Sequence, residues 1–324
     1  MTHALLRIAL ILIAALAIPR ASQSAEAHWP ERLSIGTASP GGTYYQYGEG
    51  LARLLTRKLG LAVAARETEG PVENLKLIES GEIQLAFVTL GIAQQGWSGS
   101  GDWTAGQQFR SARALFPMYD TPFQFIVLPD APIRSVAELD GKKVGIGPIG
   151  GTGGIYVPLL FKALKVSPNY ATGSWRDLAT QLAAGKLDAL VAVGGVPMPE
   201  VTDLEAKGLV RSLALAPTQT VAVRLALPEI APSIIAAGTY PSLRRNYRTV
   251  GMYNFAVGRT DLPADLVSAI LDAVFDNPDE MMAIHPAAAE TVPSNFSRNT
   301  VLPFHDGAAR WYNNKATIGV VRGD

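Results

Sequence analysis

The fold is decided by the stretch LSIGTASPGGTYYQYGEGLARLL, residues 33–55, in which a β-type run ends in a glycine-rich loop and an apolar helix follows. The same plan recurs in KVGIGPIGGTGGIYVPLLFKAL, residues 143–164. An offset of 111 positions aligns Gly42 of the first copy with Gly153 of the second. The repetition predicts two structural units of the same type.

Each copy is followed by a helix, a glycine cap and a β-rich run. These segments read LKLIESGEIQLAFVT at 75–89 and LATQLAAGKLDALVAV at 178–193, with Gly81 and Gly185 as the caps. Strands that alternate with helices in this way form parallel sheets. The sequence therefore predicts an α/β protein with two βαβ lobes of similar plan.

Two β-type segments, 112–128 and 248–258, are placed where the chain would pass between the lobes. They predict a first lobe made of residues 28–122 and 251–324 and a second lobe made of residues 123–250. Three further expectations concern irregular structure: a loop over 94–108, breaks in the first crossing segment at Pro117 and Pro122, and a proline-containing irregular stretch over 217–245.

The N-terminus has the pattern of a cleaved export signal. A short leading region carries Arg7, an apolar stretch follows over 9–18, and Ala25-Glu26-Ala27 is a small-x-small cleavage site. The sequence predicts that residues 1–27 are removed and that the mature protein is periplasmic. An uncleaved membrane anchor is the alternative, although the apolar stretch is short for a span.

Charge and cysteine content exclude several classes of partner and site. The chain has 28 basic and 28 acidic residues, and removal of Arg7, Arg20 and Glu26 leaves 26 and 27, a net charge of −1. No global field attracts nucleic acid to such a surface. The chain has no cysteine, so disulfides, thiol catalysis and thiolate metal sites are excluded.

The second glycine-rich loop matches G-x-G-x-x-G at Gly145, Gly147 and Gly150. A dinucleotide site also requires an acidic residue about twenty positions on, and residues 165–172 contain none. Since the Gly-Lys-Ser/Thr of a phosphate-binding P-loop is missing too, no cofactor is expected. The alternative for both loops is that their glycines only allow tight turns and close helix–strand packing.

Catalysis has little support in the sequence. His285 and His305 stand beside Pro286 and Asp306, where capping or surface roles are expected. No G-x-S-x-G, H-E-x-x-H or acidic cluster with metal spacing is present. The chain is predicted not to be an enzyme, and an enzyme on the same two-lobed scaffold stays as a distant alternative.

Two facing lobes with glycine-rich helix starts would form a cleft lined with free backbone N–H groups, suited to a small polar or anionic ligand. Thr43 and Thr152 stand at the two helix starts, where a hydroxyl either contacts the ligand or caps the helix. The aromatic residues near these starts are equally compatible with cleft walls and with core; they are Tyr44, Tyr45, Tyr156 and Trp175.

The chain resembles the TAXI-type solute receptors of TRAP transporters. The resemblance runs from about Leu33 to Tyr312 and rests on the order and spacing of its markers. These are GTASPGGTYY, ENLKLIESGEIQLAFV, GKKVGIGPIGGTG, LDALVAVGGVPMP, AGTYP, LPADLVSAILDAVFDNPDE, HPAAAE and PFHDGAARWY. It implies a hinged, two-lobed periplasmic binding protein that closes on a small organic acid or amino acid and delivers it to a membrane permease.

The resemblance also implies a set of ligand-facing positions. The expected ligand-binding residues are Gly41, Gly42, Thr43, Tyr44, Tyr45, Thr68, Asn74, Thr89, Gly150, Gly151, Thr152, Gly153, Trp175 and Gly194. The chain departs from the family's pattern at Glu69-Gly70-Pro71, where Gly-Gly-Ser is common, and Glu69 would repel an anion if it faced the cleft. A periplasmic sensor that partners a signalling receptor is the alternative to a transport receptor.

Overall fold

The computed structural model of the chain describes residues 26–317. The predicted export signal therefore lies, up to residue 25, outside the described residues. Within the described range no helix is long and apolar enough to cross a membrane.

Strands and helices alternate along most of this range. The strands are β1 Arg32–Gly36, β2 Ala62–Arg66, β3 Leu85–Thr89, β4 Ala112–Val127, β5 Lys143–Gly145, β6 Asn169–Ala171, β7 Ala189–Val193, β8 Arg211–Leu213, β9 Ala231–Ile235 and β10 Tyr247–Arg259. The helices are α1 Thr43–Leu59, α2 Pro71–Ser80, α3 Leu90–Ser98, α4 Thr152–Leu164, α5 Trp175–Ala183, α6 Pro199–Ala206, α7 Pro217–Ala226, α8 Ala264–Phe275, α9 Pro278–Ile284 and α10 Asp306–Thr317.

The strands form a sheet in the order β2-β1-β3-β10-β4-β7-β5-β6, with β9 beside β10 and β8 beside β4. The pairings of β1 with β2 and β3, and of β5 with β6 and β7, are parallel. Between these groups lie the long antiparallel strands β4 and β10, which pair with each other. This confirms the predicted fold class, two βαβ lobes joined by crossing strands.

The inner strands are buried because helices cover both faces of each parallel group. Along β3, Leu85 and Phe87 pack into one hydrophobic cluster, and Ala86 and Val88 pack into the other. Every residue of β7 is buried as well. Both strands end where a pocket begins, so the core fixes the position of the residues that follow.

The structure corrects the alignment of the two glycine-rich copies. Both leading strands end in glycine, at Gly36 in β1 and Gly145 in β5, and the helices that follow begin at Thr43 and Thr152. Each pair is separated by 109 positions. The offset of 111 was wrong because it matched glycines at different distances from the helix start.

The predicted loop over 94–108 is wrong in its first part, because α3 continues to Ser98. Gly96, one of the glycines that suggested a loop, instead allows close packing, as does Gly91 earlier in the same helix. A Cβ on Gly91 would lie 2.5 Å from the hydroxyl of Tyr156, and one on Gly96 would lie 2.9 Å from Leu75 Cδ1.

The stretch 217–245 is not irregular throughout, because it contains α7, which Pro217 starts, and the edge strand β9. The prolines of β4 do not interrupt it. Pro117 faces Phe255 beside a register shift in the β4–β10 pairing, and Pro122 faces Gly251. A register shift relaxes the need for a regular ladder donor, which proline lacks.

Candidate functional site

A pocket lies between the lobes, beside the carboxyl ends of the parallel strands. Counted with its open mouth, it contains ≈ 410 Å³ of space not occupied by atoms. It is lined by Ala38, Gly42, Thr43, Tyr44, Glu69, Gly70, Pro71, Thr89, Thr121, Pro148, Gly151, Thr152, Trp175, Val193, Gly194, Gly195 and Asn254. Clefts at this edge of α/β sheets are the usual ligand sites of such folds.

Helix starts surround this pocket. Five helices have their first residue or their N-cap in its lining: Thr43 of α1, Pro71 of α2, the N-cap Thr89 of α3, Thr152 of α4 and Trp175 of α5. In the described part of the chain, the backbone N–H groups of Thr43, Tyr44, Thr152 and Gly153 have no protein acceptor. First-turn N–H groups and the helix dipole both favour a negative group here.

Hydrogen bonds join the lobes around the pocket. The Thr43 hydroxyl donates to the carbonyl of Gly195 at 2.7 Å. The hydroxyls of Thr89 and Thr152 lie 3.0 Å apart, and the Val72 N–H donates to the carbonyl of Gly150 at 3.2 Å. The lobes are therefore closed on each other at the pocket.

The two threonines do not cap their helices. Gly42 and Gly151 are the N-caps, in extended conformations, and no side chain makes a capping hydrogen bond at either start. Of the two roles weighed for Thr43 and Thr152, capping is excluded in this structure. Both hydroxyls line the pocket and bridge the lobes.

The floor of the pocket is a polar cluster on the crossing strands. Asn254 of β10 is completely buried. It accepts from the Tyr44 hydroxyl at 2.5 Å, and its amide donates to the hydroxyl of Thr121 of β4 at 2.5 Å and to the carbonyl of Tyr119. Burial raises the pKa of Tyr44 well above its usual value, so its hydroxyl stays a donor.

Asn254 and Thr121 were missed by the sequence analysis. The signal was present, because Asn254 interrupts the apolar run of β10 and Thr121 interrupts that of β4. A buried polar residue in such a strand requires hydrogen-bond partners. Attention to such interruptions would have pointed to both residues.

Eight of the predicted site residues line the pocket: Gly42, Thr43, Tyr44, Thr89, Gly151, Thr152, Trp175 and Gly194. Six lie outside its lining: Gly41, Tyr45, Thr68, Asn74, Gly150 and Gly153. Some of these support the pocket walls. The Thr68 hydroxyl accepts from the Gly70 N–H at 3.2 Å and donates to Asn74, whose amide donates to the carbonyls of Thr37, just after β1, and of Phe87 in β3.

Trp175 is wedged between the two glycine-rich loops. A Cβ on Gly42 would lie 2.9 Å from Trp175 Cδ1, and one on Gly147 would lie 2.5 Å from Trp175 Cζ2. The glycines thus leave room for this indole between the lobes. Tyr156, which the sequence also offered as a cleft wall, is buried outside the pocket lining and donates to Glu229.

The pocket lining contains one acidic side chain, Glu69, and no lysine, arginine or histidine. The described range holds no group of three side chains suited to a metal ion. The buried His285 stands outside the lining, with its pKa lowered to about 4 by burial. The arrangement offers backbone donors, hydroxyls and an indole, which are means of binding.

Comparison with known proteins agrees with this architecture. The model of the NMT1-like family matches residues 35–315. The chain belongs to the NMT1-like family. The match includes both glycine-rich loops and both crossing strands, so the NMT1-like region comprises the whole pocket.

Solved structures share the fold of this NMT1-like chain at low identity. MatC from Rhodopseudomonas palustris with bound malate has 15% identity and a TM-score of 0.60, and the match covers 88% of this chain and 99% of MatC. The periplasmic binding protein BugD has 16% identity and a TM-score of 0.57, with 90% and 99% coverage. An R. palustris protein with adipate gives the same four values. The fold is that of two-lobed periplasmic binding proteins.

Proposed function

We propose that this protein is a periplasmic solute receptor that captures a small carboxylate-bearing ligand between its lobes and has no enzymatic activity. The observation that carries the proposal is the pocket at which five helices start, two of them with unpaired first-turn N–H groups from opposite lobes. A carboxylate between α1 and α4 would accept from both lobes at once. Ligand binding would then favour the closed state.

The receptor belongs, on this proposal, to the TAXI type, and its partner is the integral-membrane permease of a TRAP transporter. The motifs GTASPGGTYY and GKKVGIGPIGGTG support this assignment, and they form the two loops on either side of the pocket. Neighbours with bound malate and adipate are compatible with a small acid as ligand.

The lobe boundaries belong to the same proposal. Strand β4 pairs with β10 as far as Pro122 and with β7 from Phe123. This change of partner supports a boundary between residues 122 and 123. The return boundary at 250–251 is supported by β10, which pairs with β9 up to Gly251 and with β3 from Asn254.

The test is identification of a retained ligand by native mass spectrometry of the exported protein, followed by calorimetric titration. Gly194→Val is the matched blocking variant. A Cβ there would make ordinary contacts, the nearest 3.4 Å from Met198 Sδ, while the larger side chain fills the pocket. Thr218→Val, on the exposed side of α7, is the control.

We expect wild type and Thr218→Val to bind alike and Gly194→Val to lose binding while its melting temperature stays near that of wild type. Equal binding by all three proteins would place the ligand elsewhere. Recovery of a chemically converted ligand after prolonged incubation would contradict the receptor proposal.

A further inference from the structure

The charge of the pocket differs from what a receptor for a simple dianion requires. A ligand with two carboxylates would bring two negative charges to a lining that holds Glu69 and no basic side chain. The backbone N–H groups of α1 and α4 can hold one carboxylate, but they do not neutralise a second charge placed near Glu69.

Glu69 stands on the segment between β2 and α2, opposite the second glycine-rich loop. A Cβ on Gly150 would lie 3.2 Å from Glu69 Cβ. The backbone of the segment is fixed, because the Glu69 N–H donates to the Glu73 carboxylate at 2.7 Å and the next N–H, of Gly70, donates to Thr68. The position of Glu69 at the mouth is therefore set by the fold.

The Glu69 carboxylate has no hydrogen-bond or ion-pair partner within residues 26–317, and the side chain is exposed at the mouth. The cation next to the pocket residue Trp175 is Arg176, and it is already paired with Glu200 at 3.3 Å. The one formal charge in the lining is thus unpaired and negative. A positively charged group of the ligand would form an ion pair with the Glu69 carboxylate.

Resting on the proposed receptor function, we propose that Glu69 is a specificity-determining residue that selects zwitterionic ligands, with one carboxylate and one cationic nitrogen, over dicarboxylates. The carboxylate binds at the starts of α1 and α4, and the cationic nitrogen faces Glu69. In the same geometry the second carboxylate of a dianion would lie near Glu69 and be repelled by it. Discrimination between zwitterions and dicarboxylates therefore comes from repulsion as well as attraction. A solvated rim charge without this role would leave ligand preference unchanged when it is removed.

The experiment uses wild type, Glu69→Gln and the matched control Glu67→Gln, an exposed glutamate two positions earlier that lies outside the lining. The probes are gamma-aminobutyrate, succinate and butyrate, which share a four-carbon chain and differ in charge, together with glutamine, malate and adipate. Each is titrated calorimetrically into the three proteins and into Gly194→Val.

We expect wild type and Glu67→Gln to prefer the zwitterions by about fivefold, the scale of one solvent-exposed ion pair. Glu69→Gln should lose this preference and bind the dicarboxylates more tightly than wild type does. Dicarboxylate binding by wild type that equals zwitterion binding, or a preference that Glu69→Gln leaves unchanged, would overturn the role of Glu69. If in that case Gly194→Val still abolished binding of the probes, the receptor function would stand without the role of Glu69. If neither the probes nor any retained ligand bound, both the receptor function and the role of Glu69 would be overturned.

Discussion

The helix starts of the two lobes share a backbone plan and differ in the side chains around it. In both, a glycine N-cap precedes a threonine whose hydroxyl forms a hydrogen bond with the opposite lobe. Thr43 bonds Gly195, which follows β7, and Thr152 bonds Thr89, the last residue of β3. One position later, however, α1 has Tyr44 and α4 has Gly153. The repeat thus preserves the bonds between the lobes and varies the wall of the pocket.

That difference explains how each lobe provides one aromatic wall. Tyr44 projects from α1 itself and is held by Asn254. In the other lobe the aromatic residue comes from the next helix, because a Cβ on Gly153 would lie only 3.3 Å from Trp175 Cη2 and 2.3 Å from the Ile146 carbonyl oxygen. Gly153 therefore leaves space for an aromatic wall that comes from the next helix, whereas Tyr44 of the other lobe is itself the aromatic wall.

The largest expected effect is the loss of stability caused by a substitution at Gly153. Gly153→Ala would place its Cβ against the backbone of Ile146, which cannot move cheaply, and we expect a loss of about 3 kcal/mol in the free energy of unfolding. Gly194→Ala, whose Cβ makes ordinary contacts, is the control. Chemical denaturation of both variants measures the difference, and equal stabilities would show that α4 tolerates a side chain as α1 does.

The tyrosine side should respond through hydrogen bonding. Tyr44→Phe keeps the ring but leaves the buried Asn254 carbonyl oxygen without its donor, so we expect a loss of about 1–2 kcal/mol in unfolding free energy. Tyr45→Phe, half-buried and outside the pocket lining, is the control. A melting temperature equal to that of wild type would mean that Tyr44 acts only as an apolar wall.

The hydrogen bonds that Thr43 and Thr152 form between the lobes should contribute differently to ligand affinity. Thr43→Val leaves the Gly195 carbonyl without a donor only in the closed state, so ligand affinity should fall about fivefold, or about 1 kcal/mol. Thr152→Val should cost less, because the remaining Thr89 hydroxyl can rotate to another partner. Titration of both variants beside Thr218→Val checks this order; a larger loss in Thr152→Val would reverse it.

The same loop after β7 has a second contact, and it should depend on pH. The Ala287 N–H donates to His285 Nδ1, so the neutral ring donates through Nε2 to the Pro197 carbonyl at 3.1 Å. Burial lowers the pKa of His285 from 6.5 to about 4. The unfolded chain therefore takes up the proton first, and the stabilisation present above pH 6.5 is lost as pH falls toward 4.

This pH effect is read by comparison with His285→Asn, which keeps an acceptor near the Ala287 N–H. The gap in melting temperature between wild type and variant should narrow from pH 7 to pH 5. A constant gap would indicate that His285 does not titrate differently in the folded and unfolded chains.

The sequence predicted the parallel units well, because β1, α1, α2 and β3 carry local signals: β-type or apolar runs, glycine-capped ends and helical periodicity. It failed where a glycine or proline is required by tertiary packing rather than by a loop or a break, as at Gly96 of α3 and Pro117 of β4. In the site, the glycine and threonine positions followed from the repeat. Asn254 and Thr121 did not, because β4 and β10 bring them under the pocket from distant parts of the chain.

The central claim is that the helix starts of both lobes bind the ligand at the same time. Hydrogen–deuterium exchange with and without the retained ligand tests it directly, followed on peptides that cover 41–47 and 150–156. We predict that ligand slows exchange in both peptides at once, since the first-turn N–H groups of α1 and α4 gain an acceptor when the lobes close. Protection confined to one peptide, or found only outside both, would contradict the claim.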